Sequence, residues 1–210
     1  MTQQAGSNLW ETPEHAQAYL NRVESIPRRP EGEATLVEFI PENAKRILDL
    51  GTGAGRLLAL VKDARPAAHF VGLDVSQTML GQVRKRFGPD PNVTVVERDL
   101  GKALPSLGTF DAVISGFAIH HLVHERKRSL YGEIYAILND GGCFYNLELI
   151  SSPTARLHAD FMKATHRDEE DPENKLLDLQ TQLTWLLELG FVDVDCHWKW
   201  REFALFGGVK

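Results

Sequence analysis

The chain has 210 residues, 43% of them hydrophobic, which is enough for one domain with a full core and too few for two comfortable ones. Its 23 basic and 29 acidic side chains leave a net charge of −6, which gives no global attraction to a phosphate backbone and counts against nucleic acid as a partner. No run approaches the roughly 18 apolar residues of a membrane span, and Met1 to Asn8 have neither the basic start nor the apolar core of a signal peptide. The expectation is a soluble, cytoplasmic protein without membrane contact, either a monomer or a homodimer. Cys143 and Cys196 lie in separate apolar segments without C-x-x-C spacing, so they read as buried free thiols, and no metal site is expected.

Thr12-Pro13-Glu14 supplies an N-cap, a proline at the first helical position and an acid in the first turn, and predicts a helix from about Pro13 to Glu24. Ile26-Pro27-Arg28-Arg29-Pro30 breaks it, and Glu33 to Ile40 reads as a second short helix ended by Pro41. Residues 1–45 thus form a helical cap, in which Tyr19, Arg22, Arg28 and Arg29 are candidates to close a pocket.

Strands and helices then alternate. The strands are Arg46 to Leu50, Ala68 to Asp74, Val93 to Glu97, Phe110 to Ser115 and Cys143 to Leu149. The helices between them run from Gly53 to Asp63, from Ser76 to Phe87 and from about Leu122 to Leu138, with Gly141-Gly142 read as a turn. Such alternation predicts a parallel sheet covered on both faces over residues 46–150. An insertion at 151–175 reads as a helix from about Thr154 to His166 followed by the acidic Asp168 to Glu173. His166 beside these acids lacks ligand periodicity, so this stretch reads as a solvated loop. Residues 176–210 give a last helix, Leu176 to Leu189, and the strands Val192 to Trp198 and Phe203 to Val209, joined too tightly to be anything but antiparallel.

The stretch Asp49-Leu50-Gly51-Thr52-Gly53-Ala54-Gly55-Arg56 runs from the first strand through a glycine turn into a helix. Glycines at alternate positions suit a backbone that must take positive φ or let a ligand touch it. The dinucleotide fingerprint G-x-G-x-x-G needs a glycine or alanine where Arg56 stands. An acid on the first strand followed by G-x-G-x-G instead resembles motif I of class I S-adenosylmethionine (SAM) dependent methyltransferases. The closing hairpin is similar to theirs as well, so the resemblance runs from about Arg46 to Lys210. It implies a single α/β domain: a Rossmann-like, seven-stranded, mainly parallel sheet with an antiparallel last strand, binding SAM as cofactor.

In that family Asp49, Gly51, Thr52, Gly53 and Gly55 would hold the methionine end of SAM. Asp74 would accept both ribose hydroxyls, Val75 and Met79 would sandwich the adenine, and Asp99 with Leu100 would meet the adenine edge. All three acids stand at or near the carboxyl ends of consecutive strands, where open parallel sheets bind ligands. Ser115-Gly116-Phe117-Ala118-Ile119-His120-His121-Leu122 resembles motif IV of small-molecule methyltransferases and adds Ser115 and Gly116 to the cofactor set. It lacks the motifs that mark base, catechol and arginine methylation, leaving a small-molecule acceptor with an O, N, S or C nucleophile. His120 and His121 are candidate general bases, with Glu148 next.

Two further readings stand beside this one. Asp178 to Lys210 also resembles carboxy-SAM synthases of tRNA wobble-uridine modification, although Thr181 to Leu187 lacks the arginine by which that family grips the extra carboxylate. The other is a SAM-binding protein without catalysis. An NAD-dependent oxidoreductase is set aside by Arg56 and by the antiparallel finish.

Overall fold

In the computed structural model, which describes residues 9–22 and 25–210, seven strands form one sheet. They are β1 (Arg46–Leu50), β2 (His69–Asp74), β3 (Val93–Glu97), β4 (Phe110–Gly116), β5 (Leu138–Leu149), β6 (Val192–Trp200) and β7 (Phe203–Val209). Their order is β3-β2-β1-β4-β5-β7-β6. The first five pair in parallel, whereas β7 is antiparallel to both β5 and β6, with Leu149 opposite Phe203. The order reverses at β1, so the carboxyl ends of β1 and β4 open the crevice in which such sheets bind ligands.

Because neighbouring strand residues face opposite sides, the apolar runs feed two cores. Ile47, Phe70, Ile114 and Leu147 pack against α2 (Arg29–Phe39), α3 (Arg56–Ala64) and Phe161 of α6 (Ala155–Ala164). Leu48, Leu73, Val113 and Phe144 pack against α5 (His124–Ile137) and α7 (Leu179–Leu189). The remaining helices are α1 (Pro13–Arg22) and α4 (Gln77–Phe87), the latter capped by Ser76. Leu48 and Ile47 are fully buried, and truncating either to alanine costs about 2–5 kcal/mol.

Several boundaries differ from the sequence reading, four of them for a reason visible in the fold. Helix α2 starts at Arg29, not Glu33, because Pro30 falls in its first turn, where a missing N–H is harmless. Helix α3 starts at Arg56, because Gly51, Gly53 and Gly55 all have positive φ. A 3-10 turn over Ile119–His121 delays α5 to His124. Gly141 and Gly142 do not end a turn before β5 but form a bulge inside it: Phe110 pairs with Leu138 and Ala112 with Cys143, so the extra residues loop out at Gly141 (φ 77°). The expected continuation of α1 to Glu24 and the leader reading of Met1 to Asn8 lie outside the described residues.

Candidate active site

The turn after β1 is built from side-chain and backbone bonds that aim inward. Thr52 donates its hydroxyl to Asp49 Oδ2 at 2.6 Å and its N–H to the carbonyl of Leu73 at 2.8 Å, tying the turn to β2. Gly51 has φ 68°, and a Cβ there would lie 2.2 Å from that of Ala118, so the β4 loop packs directly on it. Gly53 has φ 53°, yet a Cβ there would meet nothing within 4 Å, so its backbone borders open space. Its N–H donates to Asp74 Oδ2 at 2.8 Å. Gly55 plays a different part: a Cβ would press on Phe87 of α4 at 3.0 Å, so this glycine serves helix packing.

Three carboxyls define the electrostatics. Asp49 is 1% exposed and its Oδ1 has no hydrogen-bond partner. Burial, with Asp74 adding repulsion, lifts it from 3.8 to about 7, against the Thr52 hydroxyl. Asp74 is also raised by burial, although the backbone N–H groups of Ser76 and Gly53 oppose this. Asp99, a quarter exposed, accepts the N–H of Gly101 at 2.7 Å. Asp74, Asp99, Gly51, Gly53, Val75, Met79, Leu100 and Gly116 all line one cavity of about 430 Å³. Asp49, Thr52, Gly55 and Ser115 stand behind its wall, Ser115 donating to the carbonyl of Leu50 at 2.9 Å.

The two histidines separate. His121 lines the cavity, whereas His120 turns away to meet Glu148 Oε1 through Nδ1 at 2.6 Å, with both groups buried. Their rings lie 3.9 Å apart, centre to centre. Burial, and then the neighbouring His120, push His121 down from 6.5 to about 2, so its imidazole is neutral. Lys127, itself 1% exposed, donates to the carbonyls of His120 (3.2 Å), Leu122 (2.5 Å) and Lys175 (2.6 Å), which clamps the histidine turn to the end of the insertion. Burial lowers this lysine from 10.5 to about 8.

Residues 47–142 match the family described as a methyltransferase domain. A demethylmenaquinone methyltransferase from Thermus thermophilus is 34% identical over 137 residues, which cover 64% of this chain and 61% of that one. Over these residues the chain is similar to class I SAM-dependent methyltransferases. It spans less than two thirds of the Thermus relative. A carboxy-S-adenosyl-L-methionine synthase from Campylobacter lari is 23% identical over 194 residues, 83% of this chain and 81% of its own length. The structure of an O-methyltransferase family protein from Burkholderia thailandensis has the same fold, with a TM-score of 0.76 at 18% identity over 96% of this chain and 61% of that one.

Tyr19, a candidate from the sequence, does cover the cavity from the amino-terminal side, but two further parts of its wall lay beyond the sequence reading: Trp10 beside Tyr19, and Glu173, which reaches it from the insertion. The Trp10 ring is 5.3 Å from Tyr19 and 5.0 Å from His121. Arg29 does not line the cavity but donates to the Tyr19 hydroxyl at 3.1 Å, Arg28 is exposed and paired with Glu31, and the Arg22 side chain lies outside the described residues. Arg126 of α5 donates to the carbonyls of Leu100 (2.7 Å) and Lys102 (2.8 Å) and pairs with Glu133, so it fixes the loop that carries Asp99. The signal that could have found Arg126 is its place in the first turn of a helix that starts at the sheet's ligand edge.

Proposed function

We propose that this chain binds SAM in the 430 Å³ cavity and transfers its methyl group to a small-molecule acceptor. The observation that carries the reading is the convergence of Asp74, Asp99 and the open backbone of Gly53 on one wall at the carboxyl edge of β1 to β3. The buried, unpartnered Oδ1 of Asp49 fits an ammonium group nearby, as the methionine end of SAM would supply. Asp74 keeps lone pairs for the ribose hydroxyls beyond those used by Gly53 and Ser76. Val75, Met79 and Leu100 offer apolar surface to the adenine, and Asp99 an acceptor for its amino group. When bound, SAM supplies a methyl group on a sulfonium, open to in-line attack as the C–S bond breaks and its electron pair stays on sulfur.

The residues favour placement over base catalysis. Orientation can supply about 7–11 kcal/mol, whereas a general base gives about 3–5 kcal/mol and needs a pKa near the working pH. His121, held down at about 2, is far from that, so we assign it to orienting the acceptor. His120 and Glu148 are bonded to each other behind the His121 ring and do not line the cavity, so neither reaches an acceptor there directly. The free thiols of Cys143 and Cys196 favour the reducing cytoplasm as the compartment.

Incubation with methyl-labelled SAM and a metabolite extract, followed by mass spectrometry, tests the reading. Labelled product with S-adenosylhomocysteine is expected; tight SAM binding without turnover on a broad acceptor panel would favour a non-catalytic SAM protein. A thermal shift by NAD but not by SAM would overturn both. The long match to the Campylobacter synthase keeps carboxy-SAM formation as a second reading, distinguished by the mass of the modified cofactor.

A further inference from the structure

We infer that the acceptor is a small organic cation, its ammonium group held at the end of the cavity lined by Glu173, Trp10, Tyr19 and His121. The inference rests on the methyltransferase reading and names its substrate class. Five charged side chains line the cavity, and four of them are already engaged at the cofactor end. Asp74 accepts from Gly53 and Ser76, and Asp99 from Gly101. Arg126 is bound to the Leu100 and Lys102 carbonyls and to Glu133, while Arg98 donates to the carbonyl of Ala103.

Glu173 is the exception, since its carboxylate makes no ion pair among the described residues. The ammonium of Lys175 is turned to the carbonyl of Pro172 at 2.9 Å, that of Lys127 to three carbonyls, and His121 is neutral. Two residues on, the N–H of Lys175 donates to the carbonyl of His120 at 2.9 Å, which brings the Glu173 segment beside the histidine turn, and both Glu173 and His121 line the cavity. Trp10 meets Tyr19 at an interplanar angle of 74° and His121 at 56°, so differently oriented aromatic rings border this end. A carboxylate beside aromatic rings attracts an ammonium group and repels a carboxylate or phosphate. A neutral alcohol or phenol can donate a hydrogen bond to the carboxylate but brings no opposite charge to it.

The test is calorimetric and uses the full chain saturated with S-adenosylhomocysteine. Saturation itself checks the methyltransferase reading: if S-adenosylhomocysteine does not bind, that reading falls and takes this inference with it. On the loaded protein, benzylamine and tetramethylammonium are expected to bind at least tenfold more tightly than benzyl alcohol, and benzoate not at all. Glu173→Gln and, separately, Trp10→Leu should each weaken cation binding about tenfold while leaving S-adenosylhomocysteine affinity unchanged. Benzyl alcohol or benzoate binding as tightly as benzylamine overturns the inference, as does cation binding indifferent to both substitutions.

Discussion

Asp49→Asn separates the cost of the cofactor loop from its use. In the folded chain burial lifts the Asp49 carboxyl from 3.8 to about 7. The unfolded chain ionises this group near 3.8, so between the two values the folded state holds a proton that the unfolded state has released. Stability is therefore lost as pH rises through that window, at about 1.36 kcal/mol per pH unit and about 4 kcal/mol in all. Asparagine has the same shape, can still accept the Thr52 hydroxyl and carries no charge to desolvate. Urea denaturation without ligand should find the variant close to the native chain at pH 4 and up to about 4 kcal/mol more stable at pH 8. SAM affinity should move the other way, falling about tenfold to a hundredfold by calorimetry, because a charged hydrogen bond of about 1.5–3 kcal/mol is removed. A variant less stable than the native chain at pH 8, or one that binds SAM as tightly, would refute the role given to the buried charge.

The two inner glycines should behave differently under alanine substitution: Gly51→Ala meets Ala118 at 2.2 Å and should lower the denaturation midpoint sharply. Gly53→Ala, with nothing within 4 Å, should cost only about 1 kcal/mol of backbone strain while weakening SAM binding in the same calorimetric titration. Arg126→Met frees the Asp99 loop from α5 and should raise the dissociation constant for SAM about tenfold, with no change in the acceptor's affinity for the loaded protein. His121 stays neutral in the fold while its unfolded counterpart protonates below 6.5, so stability is lost as pH falls from 6.5 toward 2. By pH 4 that loss is about 3 kcal/mol, and His121→Gln should remove it from a denaturation series between pH 7 and pH 4.

What the sequence made legible was whatever depends on local pattern. Period-two and period-three-to-four apolar runs located all seven strands and most of the helices, and the short link read between Trp198 and Phe203 foretold the antiparallel finish. Asp74 and Asp99 could be singled out because a strand end is a local feature and the ligand edge of a parallel sheet follows from its chirality. The misreadings have two causes. A Gly-Gly pair that bulges within β5 and a glycine at 55 that serves Phe87 depend on partners remote in sequence, whereas Pro30 is a local signal that fits a helix's first turn as well as a break. The cavity's cover was least legible. Tyr19 was a candidate, but Trp10, Glu173 and Arg126 come from three separate segments, and nothing in the immediate neighbourhood of each says that it will be folded over the sheet edge.

Arg56 connects the legible part to the illegible one. In the sequence it is the residue that spoils a dinucleotide fingerprint, a purely negative signal. In the fold its Nε lies 3.0 Å from each carboxylate oxygen of Glu33, which is 1% exposed and also holds Arg29 Nε at 2.6 Å. Arg29 passes the connection on, through its bond to the Tyr19 hydroxyl and its guanidinium 5.3 Å from the Phe117 ring. A helix that begins at the glycine turn is thereby tied through one buried carboxylate to an aromatic residue of the cavity's cover. A buried carboxylate shared by two guanidiniums is costly to desolvate and very costly to leave half paired, about 3–5 kcal/mol when one partner is removed. Such a group fixes geometry more than it adds stability. It sets the position of α2 relative to the cofactor loop, and with it the height at which Tyr19 stands over the cavity. The arginine that departs from the dinucleotide fingerprint is the same one that ties the glycine turn, through Glu33 and Arg29, to Tyr19 over the cavity.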